Sequence, residues 1–532
     1  EIAVLSDDVR GATVVATRDS VVVRIATDRL QHWFMQYPRL LLQTAKLVIK
    51  RSRIAPVRQR QLRHISNITV LPLSATMDMP LFRRELATAL THCGKALLLD
   101  PELVDTSLQE SGIAFVDKRD ATRYRRLSAW LDTLEAENDY VVYIANPDND
   151  LWTQRCLRQA DRVLLLANAA DDCQPPRFEW RLMNDTARRL NGDNRLLLWH
   201  APQTLRPEGT AAWLEARPWL QEVVHVRQGE PRHMQRLARI ITGNAIGLVL
   251  GSGGARGLAA VGVIQALAEA GIPVDRVGGA SIGAIMAAGV ALDESAATLA
   301  EKVRHSFRQN PTTFLDLNVL PVLSIFQGKH LNRLLQSVFP ATMNIEDLWI
   351  NFFCITSDMT TNNEVVHSRG SLWRAVRASA ALPGVFPMVR LGDGLHVDGA
   401  YMNALPVDVM AELGARRIMA VDFSYLPNNK PDFDEIPGAL TFLLDKFFNG
   451  GQRRFQMPTL LSGFIQSSLL ASSAKNLRAR IDADVLFSPE VGRYDLLAWS
   501  LFDALVSIGL RHARQVLAAN QVELMPKPGA MR

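Results

Sequence analysis

Five short apolar runs, separated by stretches of helical periodicity, fix the class of the first half of this chain. They are "ITVLPL" (68–73), "ALLLD" (96–100), "YVVYIAN" (140–146), "RVLLLAN" (162–168) and "RLLLWH" (195–200). Such alternation over residues 67–235 predicts a parallel sheet with crossover helices, because parallel neighbours need a long return connection. Sheets of this kind often hold nucleotides, so a phosphate loop is the next thing to look for. Gly94-Lys95 is the nearest match, but Ala96 follows where Ser or Thr is needed, and no glycine stands five residues before Gly94. The region reads as Rossmann-like α/β without a P-loop, with a structural or docking role.

Residues 246–425 repeat the alternation. "IGLVL" is a strand, "GSGGARG" a glycine-rich turn, and Leu258–Ala270 a helix stopped by Gly271 with Pro273 beyond. "VDRVGG" is the next strand, and "AIMAAGVAL" begins another helix. Later strands are expected at "FFCITS", "GLHVDG" and "RIMAVDF". Residues 426–532 read as a helical extension ending in an amphipathic helix near "LLAWSLFDALVSIGLRHARQVL". Within it, Phe442, Leu443, Phe447 and Phe448 stand beside Lys446, Arg453 and Arg454. That mixture suits either a packed helix or a segment that docks on a membrane surface.

Ahead of these regions, residues 1–50 predict two strands with a turn at Arg18-Asp19, then one helix over 28–50. A basic linker, 51–66, follows. Lys46, Lys50, Arg51, Arg53, Arg58, Arg60 and Arg63 lie in a stretch with no acidic residue between Asp28 and Asp78. It reads as a solvated linker helix or as an attachment patch for anionic lipid.

A chain of 532 residues exceeds one ordinary core, and its net charge of +5 is modest. Cys93, Cys156, Cys173 and Cys354 are scattered, which argues against a disulfide framework and against a zinc site and suits a reducing compartment. No metal or other cofactor and no nucleic-acid partner is expected. No apolar stretch is long enough to span a bilayer, and no signal peptide is visible. The chain begins at Glu1 and reads as a fragment. The expected location is cytoplasmic and peripheral to a membrane, with room for an anchor ahead of Glu1.

The chemistry is concentrated in "GGASIG" (278–283). Gly279-Ala280-Ser281-Ile282-Gly283 fits G-x-S-x-G, with a strand before and a helix after, the context of a nucleophile elbow. The helix N-terminus directs partial positive charge at the serine oxygen. Acyl transfer also needs donors for an oxyanion. "GSGGARG" opens a helix after a strand, so its amides can converge on an anion, with Gly253 and Gly254 the best donors. Arg256 adds a charge or braces the loop. A dinucleotide loop fails on spacing, because Arg256 stands where a glycine is needed.

A base is the third requirement. After Ser281 the histidines are His305, His330, His367, His396 and His512. Only His512 lies far downstream, in a segment that reads as helix exterior. The carboxylate candidates are Asp358, Asp393, Asp398 and Asp422. Asp398 stands out at a strand end before Gly399 and Ala400, where it can reach the elbow and serve as base in a two-member arrangement. A turn aspartate is its plainer reading. His396 shares a strand face with Asp398 and is a possible neighbour.

The glycine-rich loop, G-x-S-x-G and D-G-A, in that order, resemble the patatin-like phospholipases. "SAALPGVFP" (379–387) resembles that family's pattern too. The resemblance implies a Ser–Asp dyad of Ser281 and Asp398, with Gly253, Gly254, Ala255, Arg256 and Gly257 as oxyanion loop. It implies a three-layer α/β/α hydrolase fold. Ser252 stands at the family's usual first glycine. "EIAVLSDDVRGATV" resembles a cyclic-nucleotide phosphate cassette, with Glu1 toward ribose, Arg10 toward the cyclic phosphate and Thr13 in the same cassette. Val9 replaces the usual proline. The full order resembles the neuropathy target esterase type: the C-terminal part of a β-rich cyclic-nucleotide-binding-like domain, the α/β middle region, then the catalytic domain. The implied activity is a serine esterase acting on phospholipids or lysophospholipids at a membrane surface, with cyclic nucleotide as a further ligand. Two alternatives stay open: an acyltransferase using the same dyad, and a disabled fold serving as a nucleotide-responsive regulator or scaffold.

Overall fold

In the computed structural model, the apolar runs of the first half form one six-stranded parallel sheet. The residues it describes are 23–53, 65–74, 76–179, 193–308, 310–312, 314–424 and 472–520. Glu1, Arg10 and Thr13 lie outside the described residues, as do Arg58, Arg60 and Arg63. So do Phe442, Leu443, Lys446, Phe447, Phe448, Arg453 and Arg454. The chain divides into two units, one running to Ala245 and including Ala411–Arg416, the other Ile246–Met410 and the chain from Arg417.

The single helix expected over 28–50 is two, Thr27–Gln36 and Pro38–Arg53. Pro38 has no N–H for the ladder, and the residue before a proline is pushed out of the helical region; Tyr37 sits at φ −126°, ψ 78°.

The first unit holds β1 (Asn67–Pro72), β2 (Ala96–Leu99), β3 (Tyr140–Ile144), β4 (Arg162–Asn168), β5 (Asn194–His200) and β6 (Glu222–Arg227). Their order is β2-β3-β1-β4-β5-β6. Neighbouring residues bury opposite faces. Val141, Tyr143, Leu196 and Leu198 enter one core; Val142, Ile144, Leu197 and Trp199 enter the other. Burial on both faces is why these strands read as continuous apolar runs. β6, "EVVHVR", was not among the expected strands; polar residues interrupt its run. Gly94-Lys95 leads into β2 and not out of β1. After β1, Asp78 caps the helix Met79–Leu90 by accepting the Leu81 N–H at 3.0 Å. A carboxylate thus occupies the helix start where a phosphate loop would present amides to an anion.

The second unit is built on β7 (Ile246–Leu250), β8 (Arg276–Ala280), β9 (Asn351–Asp358), β10 (Asn363–His367), β11 (Val389–Leu391), β12 (Gly394–Asp398), β13 (Arg417–Val421) and β14 (Val485–Phe487). The order is β11-β12-β9-β8-β7-β13-β14, with β10 also on β9. The strands from β9 to β14 through β8, β7 and β13 run parallel, whereas β10, β11 and β12 are antiparallel additions. Two pairings matter for the site: Ala280 sits opposite Ile355, and Asp398 opposite Thr356. β9 therefore lies between the ends of β8 and β12 at one level of the sheet. The C-terminal helix, Phe502–Asn520, buries Leu505, Ala513 and Leu517 in this unit's core.

Candidate active site

Ser281 is where the chain turns from β8 into the helix Ile282–Ala291, and it has φ 57° and ψ −126°. That region is costly for a residue with a Cβ and recurs at functional turns. The flanking glycines are there for space. A Cβ on Gly279 would lie 2.3 Å from the Leu250 carbonyl oxygen, and one on Gly283 only 2.0 Å from it. Any side chain at either position would push the elbow off β7.

Ser281 Oγ donates to Asp398 Oδ2 at 2.6 Å. Asp398 is 2% exposed. Its other oxygen accepts the Ala400 N–H at 2.9 Å, as in a turn aspartate. The Asp398 N–H donates to the Ala381 carbonyl at 3.0 Å, and Ser357 Oγ donates to the Asp398 carbonyl at 3.0 Å. Burial lifts the Asp398 carboxyl to about 6, against the downward pull of the hydrogen bonds from Ser281 and Ala400. A carboxylate with no cation beside it, at that value, takes and returns a proton near neutral pH.

Ser379 was not singled out from the sequence. Its hydroxyl accepts the Ser281 N–H at 3.0 Å and donates to the Ile355 carbonyl at 2.6 Å, strutting the elbow against β9. It opens "SAALPGVFP", the only signal that pointed at it.

Of the expected oxyanion loop, Gly253–Gly257, two amides are spent within the structure. The Ala255 N–H is bound to the Leu496 carbonyl at 2.8 Å, and the Arg256 N–H to the Gly253 carbonyl at 3.2 Å. Gly257 lies against the Ile282 side chain, where a Cβ would meet Cγ2 at 2.4 Å. Among the described residues, no hydrogen-bond partner stands on the Gly253 or Gly254 N–H, and both residues line the same cleft as Ser281. Gly254 sits at φ 55°, with the Leu496 carbonyl oxygen 2.4 Å from where a Cβ would stand. Arg256 is a brace: its Nε and Nη2 donate to the carbonyls of Tyr494 and Gly492 at 2.8 and 2.9 Å. Ser252 lines the cleft, and its N–H is spent on the Ala404 carbonyl.

The other candidates stand elsewhere. His396 bonds Thr356 Oγ1 at 2.8 Å, and Thr356 also meets His367 Nε2 at 2.7 Å. Burial and the neighbouring His396 hold His367 at about 4. His512 accepts the Ser488 N–H at 2.9 Å. Asp358 binds Thr360 and Thr361, Asp422 binds Ser424 and pairs with Arg480, and Asp393 is exposed beside Arg390. None of these carboxylates or histidines bonds Ser281. Among the described residues no His, Cys, Asp and Glu cluster of metal-binding form occurs.

The cleft above Ser281 has a volume of about 90 Å³ and is partly open to solvent. Ile282, Ile285, Phe307, Leu331, Leu382, Val385, Phe386, Leu497 and Trp499 line it together with Ser281 and Asp398. A second, smaller cavity of about 20 Å³ shares Ile285 and Phe307 as lining residues. A serine hydroxyl on a buried carboxylate, two glycine amides without a partner among the described residues and an apolar cleft suit acyl transfer from an ester with a hydrocarbon chain.

Residues 248–411 match the patatin-like phospholipase family, and residues 64–245 match the neuropathy target esterase family P-loop like domain. The chain is 31% identical to neuropathy target esterase sws of Drosophila melanogaster, across 100% of this chain and 39% of that protein. It is 30% identical to patatin-like phospholipase domain-containing protein 6 of Mus musculus, across 97% of this chain and 41% of that protein. With patatin-like phospholipase domain-containing protein 7 of Rattus norvegicus the identity is 31%, across 96% and 41%. The chain thus spans about two-fifths of the length of these relatives.

Proposed function

The chain belongs to the patatin-like phospholipases of the neuropathy target esterase type, and on that premise we propose that it hydrolyses acyl esters of phospholipids, lysophospholipids first, at Ser281. The observation that carries this reading is the 2.6 Å hydrogen bond from Ser281 Oγ to a buried carboxylate, both lining an apolar cleft.

Ser281 Oγ attacks the acyl carbonyl carbon while its proton passes to Asp398. The carbonyl oxygen becomes an oxyanion held by the Gly253 and Gly254 amides. Collapse breaks the ester bond, and the departing alcohol takes the proton from Asp398. Water then attacks the acyl-enzyme, Asp398 accepts its proton and returns it to Ser281 Oγ, and the fatty acid leaves. Asp398 serves both half-reactions because its carboxyl titrates near 6.

Among the described residues no helix is long and apolar enough to cross a membrane. The proposal places the chain at a membrane surface, on the cytoplasmic side. Regulation by cyclic nucleotide through Glu1, Arg10 and Thr13 is a separate expectation, read by adding cyclic nucleotide to the same assay.

The test is fatty-acid release from lysophosphatidylcholine by the parent chain, Ser281→Ala and Asp398→Asn. Release by the parent with both variants at background supports the proposal. A folded parent inert on lysophospholipids, diacyl lipids and simple esters overturns it. Transfer to an added alcohol in preference to water makes the chain an acyltransferase.

A further inference from the structure

Exposed apolar side chains are concentrated between Leu315 and Leu323. Leu315 and Val319 are each 95% exposed, Leu320 79%, Val322 84% and Leu323 73%. From Leu317 to Gly328 no side chain carries a charge. A contiguous apolar surface of this kind marks a contact site.

The loop is built to hold its tip out. Leu317 and Phe326 form an antiparallel bridge at its base. The Asn318 N–H donates to the Ile325 carbonyl at 2.8 Å, and its side-chain amide to the Ser324 carbonyl at 2.7 Å. Asp316 accepts the Gly328 N–H through its carboxylate at 2.9 Å. The polar groups of the base are thus spent on one another, and Pro321 brings no N–H to the tip. The base is fastened to the cleft. The Ile325 and Phe326 N–H groups donate to the carbonyls of Gly384 and Val385 at 2.8 and 2.9 Å, and the rings of Phe326 and Phe386 are 5.8 Å apart. Val385 and Phe386 line the cleft that holds Ser281.

We propose that the Leu315–Leu323 loop is a lipid-surface anchor. Its tip enters the acyl region of one leaflet and sets the rim of the cleft on the membrane, so that an acyl ester reaches Ser281 without crossing water. The choice of a lipid surface as occupant rests on the ester-hydrolase reading above. Asp316 is buried on the Gly328 amide, and the absence of charge from Leu317 to Leu323 selects the acyl layer over anionic head groups, so binding through this tip is insensitive to salt.

The test is co-sedimentation of the full chain with phosphatidylcholine vesicles, in the Ser281→Ala background so that turnover plays no part. Leu320→Asp combined with Val322→Asp lowers partitioning about tenfold or more, since two buried aliphatic side chains are lost from the lipid. With Ser281 restored, the same pair hydrolyses a monomeric water-soluble ester at the parent rate. Val319→Trp raises partitioning several-fold, because an amphipathic ring favours the interface. Parent-like partitioning of the Asp pair overturns the proposal. So does an altered oligomeric state without a change on vesicles, which makes the tip a contact between copies of this chain. If the Asp pair also loses monomeric-ester hydrolysis, Val319→Trp decides: a gain supports the anchor and no gain overturns it. A parent that binds vesicles through the loop yet hydrolyses no ester supports the anchor and removes the hydrolase reading.

Discussion

Ser281 and Asp398 are 117 residues apart in the chain, and their side chains meet across the end of β9 at 2.6 Å. The register of the sheet makes this contact. Ala280 pairs with Ile355 and Asp398 with Thr356, so the two strand ends flank β9 at one height. A slip of one residue in β12 would turn Asp398 to the opposite face and remove it from the serine.

The backbone at Ser281 is strained, and removing its Cβ should release the strain. Ser281→Gly is expected to be more stable than Ser281→Ala by about 1 kcal/mol, as both lack the hydroxyl but only alanine keeps the Cβ at positive φ. Paired thermal or urea unfolding curves measure the difference.

Asp398 has a folded-state value of about 6, above the ordinary 3.8. Between those values the folded chain holds a proton that the unfolded chain has lost. Stability from this group is therefore present below about pH 4, falls as pH rises toward 6, and is missing above it. Asp398→Asn removes the buried charge. It is expected to be more stable than the parent by about 3 kcal/mol at pH 8, with the gap closing toward pH 4. Unfolding curves across that range read it directly.

Arg256 holds the Gly492 and Tyr494 carbonyls, and the same segment supplies the Leu496 carbonyl that binds the Ala255 amide. Arg256→Met should let the two glycine amides drift and lower kcat about tenfold or more with little change in KM. Lysine cannot reproduce two divergent N–H groups, so Arg256→Lys should recover little of the loss. Steady-state kinetics on a soluble ester distinguishes this from loss of substrate binding, which would raise KM.

Phe307 and Ile285 divide the cleft from the second cavity. Phe307→Leu opens that wall at modest cost in packing. For lysophospholipids of graded chain length, it should raise kcat/KM for longer acyl chains over shorter ones about threefold or more, since each added methylene finds apolar cover. An unchanged chain-length profile would show that the second cavity takes no part.

The elbow was legible because its geometry demands local residues. Gly279 and Gly283 are needed where a Cβ would strike Leu250, and the strand-to-helix change brackets Ser281. Asp398 was legible as a strand-end carboxylate in a chain poor in suitable histidines. What stayed hidden depends on distant chain. Ser379 acts through Ile355, and the partners that make Arg256 a brace, one of the two roles its sequence offered, lie more than two hundred positions away, which no local pattern encodes. The same limit explains why all of Gly253–Gly257 looked available as donors, although Ala255 and Arg256 spend their amides within the structure. Pro38, by contrast, was in plain view, yet apolar periodicity on both sides of it suggested a single helix.

The most direct measurement is the pH dependence of covalent labelling of the chain by a fluorophosphonate ester analogue, with the modified residue located by mass spectrometry. The account predicts one label, on Ser281, with a rate that rises through a single inflection near pH 6 and falls about a thousandfold or more in Asp398→Asn. Labelling of Ser281 at the parent rate in Asp398→Asn would contradict it.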